Sequence, residues 1–304
     1  MTVGTVAVWS TGDMGHALGR RLREHGLRVI TSLRGRSPRT AALAAAAGIE
    51  DVPDDGQLVA EADVLLAVLA PAAALDLADR VAEAVRPAHA DLLYVECNAI
   101  APQTARTIAG RLRAAGVRVV DAGIIGGPPL PGGDGEGPRV YASGEDAADF
   151  ADLRDYGLDV RMLGPEIGQA SGLKMCYAAL TKGLTALGTE LLAAGRAMSL
   201  DAPLRAELES SQGVLLRWIE RSLPGMPPKA DRWVGEMEEI AATFGALGLT
   251  PLMHQGAADI YRFVATTPLG DETPEVRHLG QTANDVIAVL AGSLAASHRD
   301  AAAE

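Results

Sequence analysis

The sequence predicts an α/β fold: an N-terminal Rossmann doubly wound parallel sheet, a long interdomain helix and an all-α C-terminal domain. Three observations predict it. Over the first half, short, nearly continuous apolar runs alternate with alanine-rich amphipathic segments, the pattern of parallel strands covered on both faces by crossover helices. The first apolar run leads into a glycine turn, "WSTGDMGHALGRRL". After Gly164-Pro165 the strands vanish and long helical periodicities take over. The boundary is therefore set near residue 165, giving a nucleotide-binding domain over 1–165 and a helical substrate and dimerisation domain over 166–304.

In chain order, the strands are expected at 5–9, 27–33, 62–70, 91–97 and 117–123, with late strands at 139–143 and 160–163. Helices are expected between them at 14–25, 38–47, 72–85 and 102–115. Ser37-Pro38 supplies an N-cap and an N1 proline to the second helix, and Gly48 its stop. The stretch "PPLPGGDGEGP" (128–138) is a loop by composition. Five helices follow, at 168–195, 202–222, 231–246, 252–266 and 275–296. The first carries leucines at 173, 180, 184, 187 and 191. Apolar nearly all round, it is expected to be buried between domains or between subunits.

The glycine turn has the place of a dinucleotide fingerprint, following a strand and opening a helix. Ser10, Gly12 and Gly15 stand at the three glycine positions, the first replaced. Gly12 lets backbone approach a pyrophosphate, Gly15 lets helix and strand pack closely, and the amides of Gly12, Asp13, Met14 and Gly15 face the phosphate. Asp13 must turn its carboxylate away. About 20 residues on, where an NAD enzyme places an acid and an NADP enzyme an arginine, the chain reads "TSLRGRSPRT" with no acid. Arg34 can fork onto a 2'-phosphate, with Arg36 and Ser37 adding a charge and a hydroxyl. The alternative is a solvated turn that caps the next helix, and for Arg39 that is the expectation. The cofactor expected is NADP (NADPH).

Composition narrows the partners. The chain has 304 residues and a formal charge of -12, which disfavours nucleic-acid binding. No apolar run reaches the length of a membrane span. Cys97 and Cys176 do not make a disulfide framework. The six histidines (16, 25, 89, 254, 278 and 298) show no metal-ligand spacing. A cytoplasmic protein with a small-molecule substrate and no metal is expected.

The motifs "STGDMG", "ECNAIAP" (96–102), "DAGIIGGPP" (121–129), "GQASGLKMCYA" (168–178) and "RWVGEMEEIAATFGALG" (232–248) together resemble the β-hydroxyacid dehydrogenase and 6-phosphogluconate dehydrogenase-like superfamily. The resemblance is nearest to its phosphogluconate-dehydrogenase-like subgroup of uncharacterised reductases. It covers nearly the whole chain and implies a homodimer. It also implies that Lys174, in the G-x-x-x-G-x-K segment after Gly168 and Gly172, is the general acid/base. The chemistry agrees, since hydride transfer at a carbinol carbon needs a proton donor and acceptor. A partly desolvated lysine at a helix start has its pKa drawn toward neutrality.

Two positions depart from the family pattern. Ala178 replaces the asparagine four residues after the lysine, with Tyr177 beside it as a candidate substrate contact. Ile125 replaces the serine of the substrate loop, leaving the Gly126 and Gly127 amides to meet an anion. A bulkier or less charged carbonyl compound than a simple hydroxy acid becomes a candidate substrate. Asn98, at the family's serine position, is a cofactor or substrate contact or else a turn-former. Leu69, ending the third apolar strand, is a cofactor contact by position.

In the C-terminal half, Trp233, Met237, Ile240 and Phe244 form one apolar helix face, which puts Glu236 and Glu239 in solvent. His254 and Tyr261 share another face, and one of them is a candidate second proton donor. The leading reading is an NADP-dependent dehydrogenase or reductase acting on CH–OH or C=O groups, with substrate held near Gly126, Gly127 and Lys174. The alternatives are an imine reductase of the same superfamily, against which Lys174 counts, and a non-catalytic NADPH-binding sensor.

Overall fold

The computed structural model describes residues 3–85, 91–132 and 137–301, with side chains up to residue 295. His89 and residues 133–136 of the loop expected at 128–138 lie outside the described residues, as does the His298 side chain. The chain forms two compact units, Met1–Met175 and Cys176–Glu304.

In the first unit, strands and helices alternate as β1 (Thr5–Val8), α1 (Asp13–Glu24), β2 (Arg28–Thr31), α2 (Pro38–Ala47), β3 (Glu50–Asp51), α3 (Asp55–Glu61), β4 (Val64–Ala67), α4 (Ala74–Val85), β5 (Leu93–Glu96) and α5 (Pro102–Ala114). Then come β6 (Arg118–Ile125), β7 (Arg139–Ser143), α6 (Ala147–Ala151), β8 (Asp159–Gly164) and the start of α7 (Gln169–Ala197). The sheet order is β3-β2-β1-β4-β5-β6-β7-β8. Every pairing is parallel except β6 with β7.

Side chains alternate between the faces, as a strand's period of two requires. Val6 and Val8 of β1 pack with Leu18, Leu22, Ala44 and Phe150 on one face. Ala7 and Trp9 pack with Leu58, Leu77, Val81 and Ile108 on the other. Helices α1, α2 and α6 therefore cover one face and α3, α4 and α5 the other, the doubly wound arrangement the sequence predicts. The Ser37 cap accepts the Thr40 N–H, and Gly48 ends α2 at φ 67°. The two-residue β3 and the seven-residue α3 are additions, too short for a periodicity to show.

The second unit contains most of α7, then α8 (Asp201–Ser222), α9 (Ala230–Ala246), α10 (Leu252–Ala265) and α11 (Ala283–Ala301). Helix α8 kinks at Gln212, where φ is -136°. Residues 275–282, expected to be helical, precede α11 as a loop. The Glu272 carboxylate gathers the backbone N–H groups of His278, Leu279 and Gly280 there, and Asp285 takes the Thr282 N–H at the head of α11. Glu236, expected in solvent, is buried and closes on Lys182. The Lys182 ammonium also lies 5.1 Å from the Trp233 ring, so the face of α9 beside the apolar stripe carries a charge that is buried because it is paired. The leucines of α7 are not all enclosed within the chain, since Leu180 and Leu187 are exposed.

The units divide between Met175 and Cys176, inside α7, rather than at residue 165. The reason is a set of bonds that tie the first turn of the helix to the sheet. Asp121, fully buried in β6, accepts from Gly168 N at 2.8 Å, Ser171 N at 3.1 Å, Ser171 Oγ at 2.5 Å and Ser143 Oγ at 3.0 Å. Ser143 in turn accepts the Ala170 N–H at 3.0 Å. A carboxylate at a helix N-terminus satisfies otherwise unpaired amides and faces the positive end of the dipole.

Glu96 lies opposite Asp121 across the β5–β6 pairing and has fewer donors. It takes the Asn98 N–H at 2.9 Å and the Tyr94 hydroxyl at 3.1 Å. Burial pushes its carboxyl up to about 8; the Asn98 and Tyr94 bonds only partly offset that rise, and the charge of Asp121 adds to it.

Two outcomes follow from these carboxyl groups. Asp121→Ala strips four donors of their acceptor and lowers stability by about 3–5 kcal/mol in urea unfolding. For Glu96 the folded-state pKa is raised above the unfolded value, so folded protein holds the extra proton between about pH 4.5 and 8. Stability therefore falls as pH rises through that window, by an upper limit of the order of 5 kcal/mol. Glu96→Gln removes the titration, so its melting temperature gains on the wild type steadily from pH 6 to pH 8.5 in a thermal-melt series.

Candidate active site

The strand order reverses between β1 and β4, and in open α/β sheets the crevice beyond the carboxyl ends of such strands is where ligands lie. Ser10, Gly12, Asp13, Met14 and Gly15 follow β1, Arg34, Arg36 and Ser37 follow β2, Leu69 follows β4 and Asn98 follows β5. Every cofactor residue expected from the sequence thus lies at one edge of the sheet.

At the turn, a Cβ on Gly15 would come 1.9 Å from the Ser10 carbonyl oxygen, so only glycine permits this strand–helix approach. A Cβ on Gly12 would meet nothing within 4 Å, which leaves the backbone open to a ligand. His16 N donates to Gly12 O at 3.0 Å and the ring Nδ1 lies 2.8 Å from the same oxygen. The Asp13 carboxylate turns aside onto Arg39 Nη2 at 2.5 Å. Met14 packs against the core on the α1 face.

The three arginines have separate fates. Arg39 is engaged by Asp13. Arg36 is half-buried and donates to the Trp9 carbonyl at 3.0 Å; burial, and then the charge of Arg80, draws its pKa down. Arg34 is exposed and makes no ion pair among the described residues. Ser37 is engaged as the α2 cap.

Two residues beyond the sequence reading belong here. Ser32, directly after β2, is buried with its Oγ unpaired among the described residues. Glu96 supports Asn98, which is 3% exposed: Asn98 Oδ1 accepts the Leu69 N–H at 2.6 Å, while Nδ2 is buried with no hydrogen bond of normal geometry among the described residues. Buried polar atoms are nearly always paired. Two that are not, on strands either side of the β1–β4 reversal, fit a ligand with polar atoms at both ends. With the open Gly12 backbone and the α1 amides, the residues present fit a dinucleotide.

The lysine expected to act in catalysis sits on the first turns of α7. Lys174 is half-buried, and its Nζ donates to the Ile124 carbonyl at 2.5 Å. Gly123 makes this approach possible, since a Cβ there would come 2.7 Å from Ala170 O and 3.0 Å from Lys174 Cβ. Gly126 (φ 125°) and Gly127 are exposed just past β6, and a Cβ on Gly127 would meet nothing within 4 Å. Arg20 of α1 donates to the Pro129 carbonyl at 2.7 Å and braces this loop. The structure thus brings Lys174 beside the end of the strand that carries Gly126 and Gly127.

Tyr177 and His254 belong to the second unit. Tyr177 is exposed. His254 tilts against Phe244 and lines an apolar groove of about 440 Å³ with Leu180, Leu184, Leu187 and Met253; burial draws its pKa down. Tyr261, the alternative proton donor, is fully buried and donates to the Lys182 carbonyl at 2.6 Å. That bond and burial make it a packing residue.

Comparison with known proteins agrees with this geometry. Residues 5–154 match the NAD binding domain of 6-phosphogluconate dehydrogenase, and residues 196–264 match a domain of unknown function. The 3-hydroxyisobutyrate dehydrogenase of Pseudomonas aeruginosa is 29% identical over 184 residues, 59% of either chain. A solved conserved protein, described as structurally similar to 3-hydroxyacid dehydrogenases, is 29% identical with a TM-score of 0.61, covering 86% of this chain and 96% of its own. The imine reductase of Streptomyces aurantiacus shares the fold at 19% identity, with a TM-score of 0.53 over 94% of this chain and 99% of its own. Residues 5–154 are thus an NAD-binding domain of the 6-phosphogluconate dehydrogenase kind, and the proteins the chain resembles include oxidoreductases of the hydroxyacid dehydrogenase type.

Proposed function

We propose that the protein is an NADP-dependent oxidoreductase that interconverts a carbonyl compound and its alcohol, with Lys174 carrying the hydroxyl proton. The observation that carries this reading is the placement of Lys174. Its helix start is pinned to the sheet by Asp121, and its ammonium is held on the Ile124 carbonyl two residues before Gly126. A bound nicotinamide cofactor supplies the hydride.

The chain's own residues do the rest. Amides at the start of α1 meet the pyrophosphate. Arg34, with Arg36 and the hydroxyls of Ser32 and Ser37 around it, meets the 2'-phosphate as a fixed fork of donors. Lys174 gives a proton to the carbonyl oxygen as it gains alkoxide character and, as an amine, takes it back in the oxidative direction. The Gly126 and Gly127 amides receive a carboxylate or other anionic group of the substrate. Ile125, where the family pattern has serine, favours a less polar substrate than a simple hydroxy acid. Imine reduction is the second reading, supported by the fold shared with an imine reductase.

A homodimer belongs to the same reading. The face bearing exposed Leu180, Leu187, Val214, Leu252 and Met253 in the helical unit is one that a second copy, as the family resemblance implies, would cover.

Fluorescence titration tests the cofactor assignment. NADPH binds more tightly than NADH, and Arg34→Ala weakens NADPH roughly tenfold or more while leaving NADH unchanged. Equal affinity for the two in wild type returns Arg34 to a solvated turn. Lys174→Ala keeps NADPH affinity and loses roughly 10²–10⁴-fold in kcat on whichever of a keto-acid, aldehyde, ketone and cyclic-imine panel is turned over. Full turnover in that variant removes the lysine from the mechanism. Light scattering on the eluted protein reads a mass of two chains, and Leu187→Glu with Met253→Glu shifts it toward one.

A further inference from the structure

The proposed mechanism leaves Glu96, a buried acid at the sheet, without a role. Glu96 ends β5, a strand otherwise made of Leu93, Tyr94 and Val95, and an apolar residue there would avoid the cost of burying a carboxyl. Its Oε1 takes the Asn98 N–H at 2.9 Å. Asn98 then bridges to the neighbouring strand end, with Oδ1 on the Leu69 N–H at 2.6 Å. That bond fixes which way the amide points. Leu69 N–H is a donor, so oxygen must face it, and the NH₂ group is necessarily the other end. This NH₂ is buried and makes no hydrogen bond of normal geometry among the described residues; its one interaction is a weak one with the Glu96 carboxyl itself, which leaves its donor capacity largely unused. What is held in place is therefore a donor, and the ligand group it suits is an acceptor oxygen.

We propose that Glu96 is a positioning residue for the nicotinamide half of the cofactor. By holding the Asn98 main chain, it aims Asn98 Nδ2 at a carboxamide or ribose oxygen of that half. The proposal rests on the dinucleotide reading above and adds to it the residue that sets the donor's direction. Two features of Glu96 suit the task. Its second oxygen is anchored by the Tyr94 hydroxyl at 3.1 Å, so the carboxyl cannot rotate without breaking a buried bond. Burial also disfavours the charged form of this carboxyl, raising its pKa to about 8, so the site does not depend on a full negative charge there. A neutral amide of the same shape should serve equally well, whereas a methyl group should not.

The test is binding without substrate, followed by quenching of tryptophan fluorescence. Wild type, Glu96→Ala, Glu96→Gln, Asn98→Ala and the Glu96→Ala/Asn98→Ala double variant are each titrated with NADPH and with adenosine 2',5'-bisphosphate, which carries the adenine end alone. NADPH affinity falls about tenfold in Glu96→Ala and in Asn98→Ala, and no further in the double variant, because both remove the same donor. The bisphosphate binds all five proteins within twofold. Glu96→Gln binds NADPH like wild type and shows that the fold tolerates a change at this position. Unchanged NADPH affinity in Glu96→Ala overturns the proposal. So does an equal loss for the bisphosphate, which reports general damage to the sheet edge. Asn98→Ala that binds NADPH normally but turns substrate over poorly assigns the donor to the substrate carbonyl, and also overturns it. A wild type that binds neither ligand brings down the dinucleotide reading itself, an outcome distinct from the other three.

Discussion

Asp121 joins three parts of the nucleotide-binding unit, tying the start of α7 to the paired strands β6 and β7. It sits in the strand that continues into the Gly126–Gly127 loop, it accepts the Ser143 hydroxyl from the antiparallel neighbour, and it caps the first turn of α7 through Gly168 and Ser171. A helix start buried without such a partner would leave several amides unsatisfied. Lys174 lies three residues beyond Ser171, so the Asp121 bonds fix where its main chain stands relative to the β6 terminus, and the bond to the Ile124 carbonyl holds its ammonium. Placement of the proton carrier is thus a consequence of helix capping. The absent Cβ at Gly123, which lets α7 lie this close to β6, is the steric half of the same constraint.

Electrostatics at the sheet edge follow from how charges are disposed of. The chain is strongly acidic, yet the turn after β2 is arginine-rich. Asp13, the nearest acid to the α1 amides, is neutralised by Arg39. Arg36 gives one donor to a main-chain carbonyl, keeps its charge and is partly desolvated. That leaves a local excess of positive charge with Arg34 at its exposed end. Coulomb interactions between exposed groups fade beyond about 10 Å in salt, so a local excess of this kind governs what binds there even when the whole chain carries a charge of -12.

Much of this was legible in the sequence, and what was not has physical reasons. Apolar runs bounded by glycine and proline gave the strands and helices of the first unit, since a parallel sheet covered on both faces leaves that pattern. The G-x-x-G turn, Ser37 and Gly48 were legible because capping and close approach restrict residue type. Lys174, Gly126 and Gly127 came from motif order. Ser32 and Glu96 also lay in quoted stretches but had no role assigned, because a single serine or acid at a strand end looks like surface until its burial is known. Asp121 stood in a quoted motif, but its donors are 22 to 50 residues away in sequence. Glu236 was misplaced because an acid off an apolar stripe is normally solvated, and its partner Lys182 lies on a different helix. The loop at 275–282 was read as helix because Glu272 acts on it from outside the window of the periodicity.

The unpaired polar atoms at Ser32 and Asn98 also constrain the size of the ligand. Ser32 follows β2 and Asn98 follows β5, and β1 and β4 lie between them in the sheet. Three strand spacings amount to about 14 Å, and the point where strand order reverses lies midway. A simple hydroxy acid can answer one of these atoms but not both. A dinucleotide laid across the reversal, with its pyrophosphate on the α1 amides, has a polar group for each end. The open backbone at Gly12 sits between the two, after β1. The spacing of what is unsatisfied therefore argues for the length of the ligand, independently of any motif.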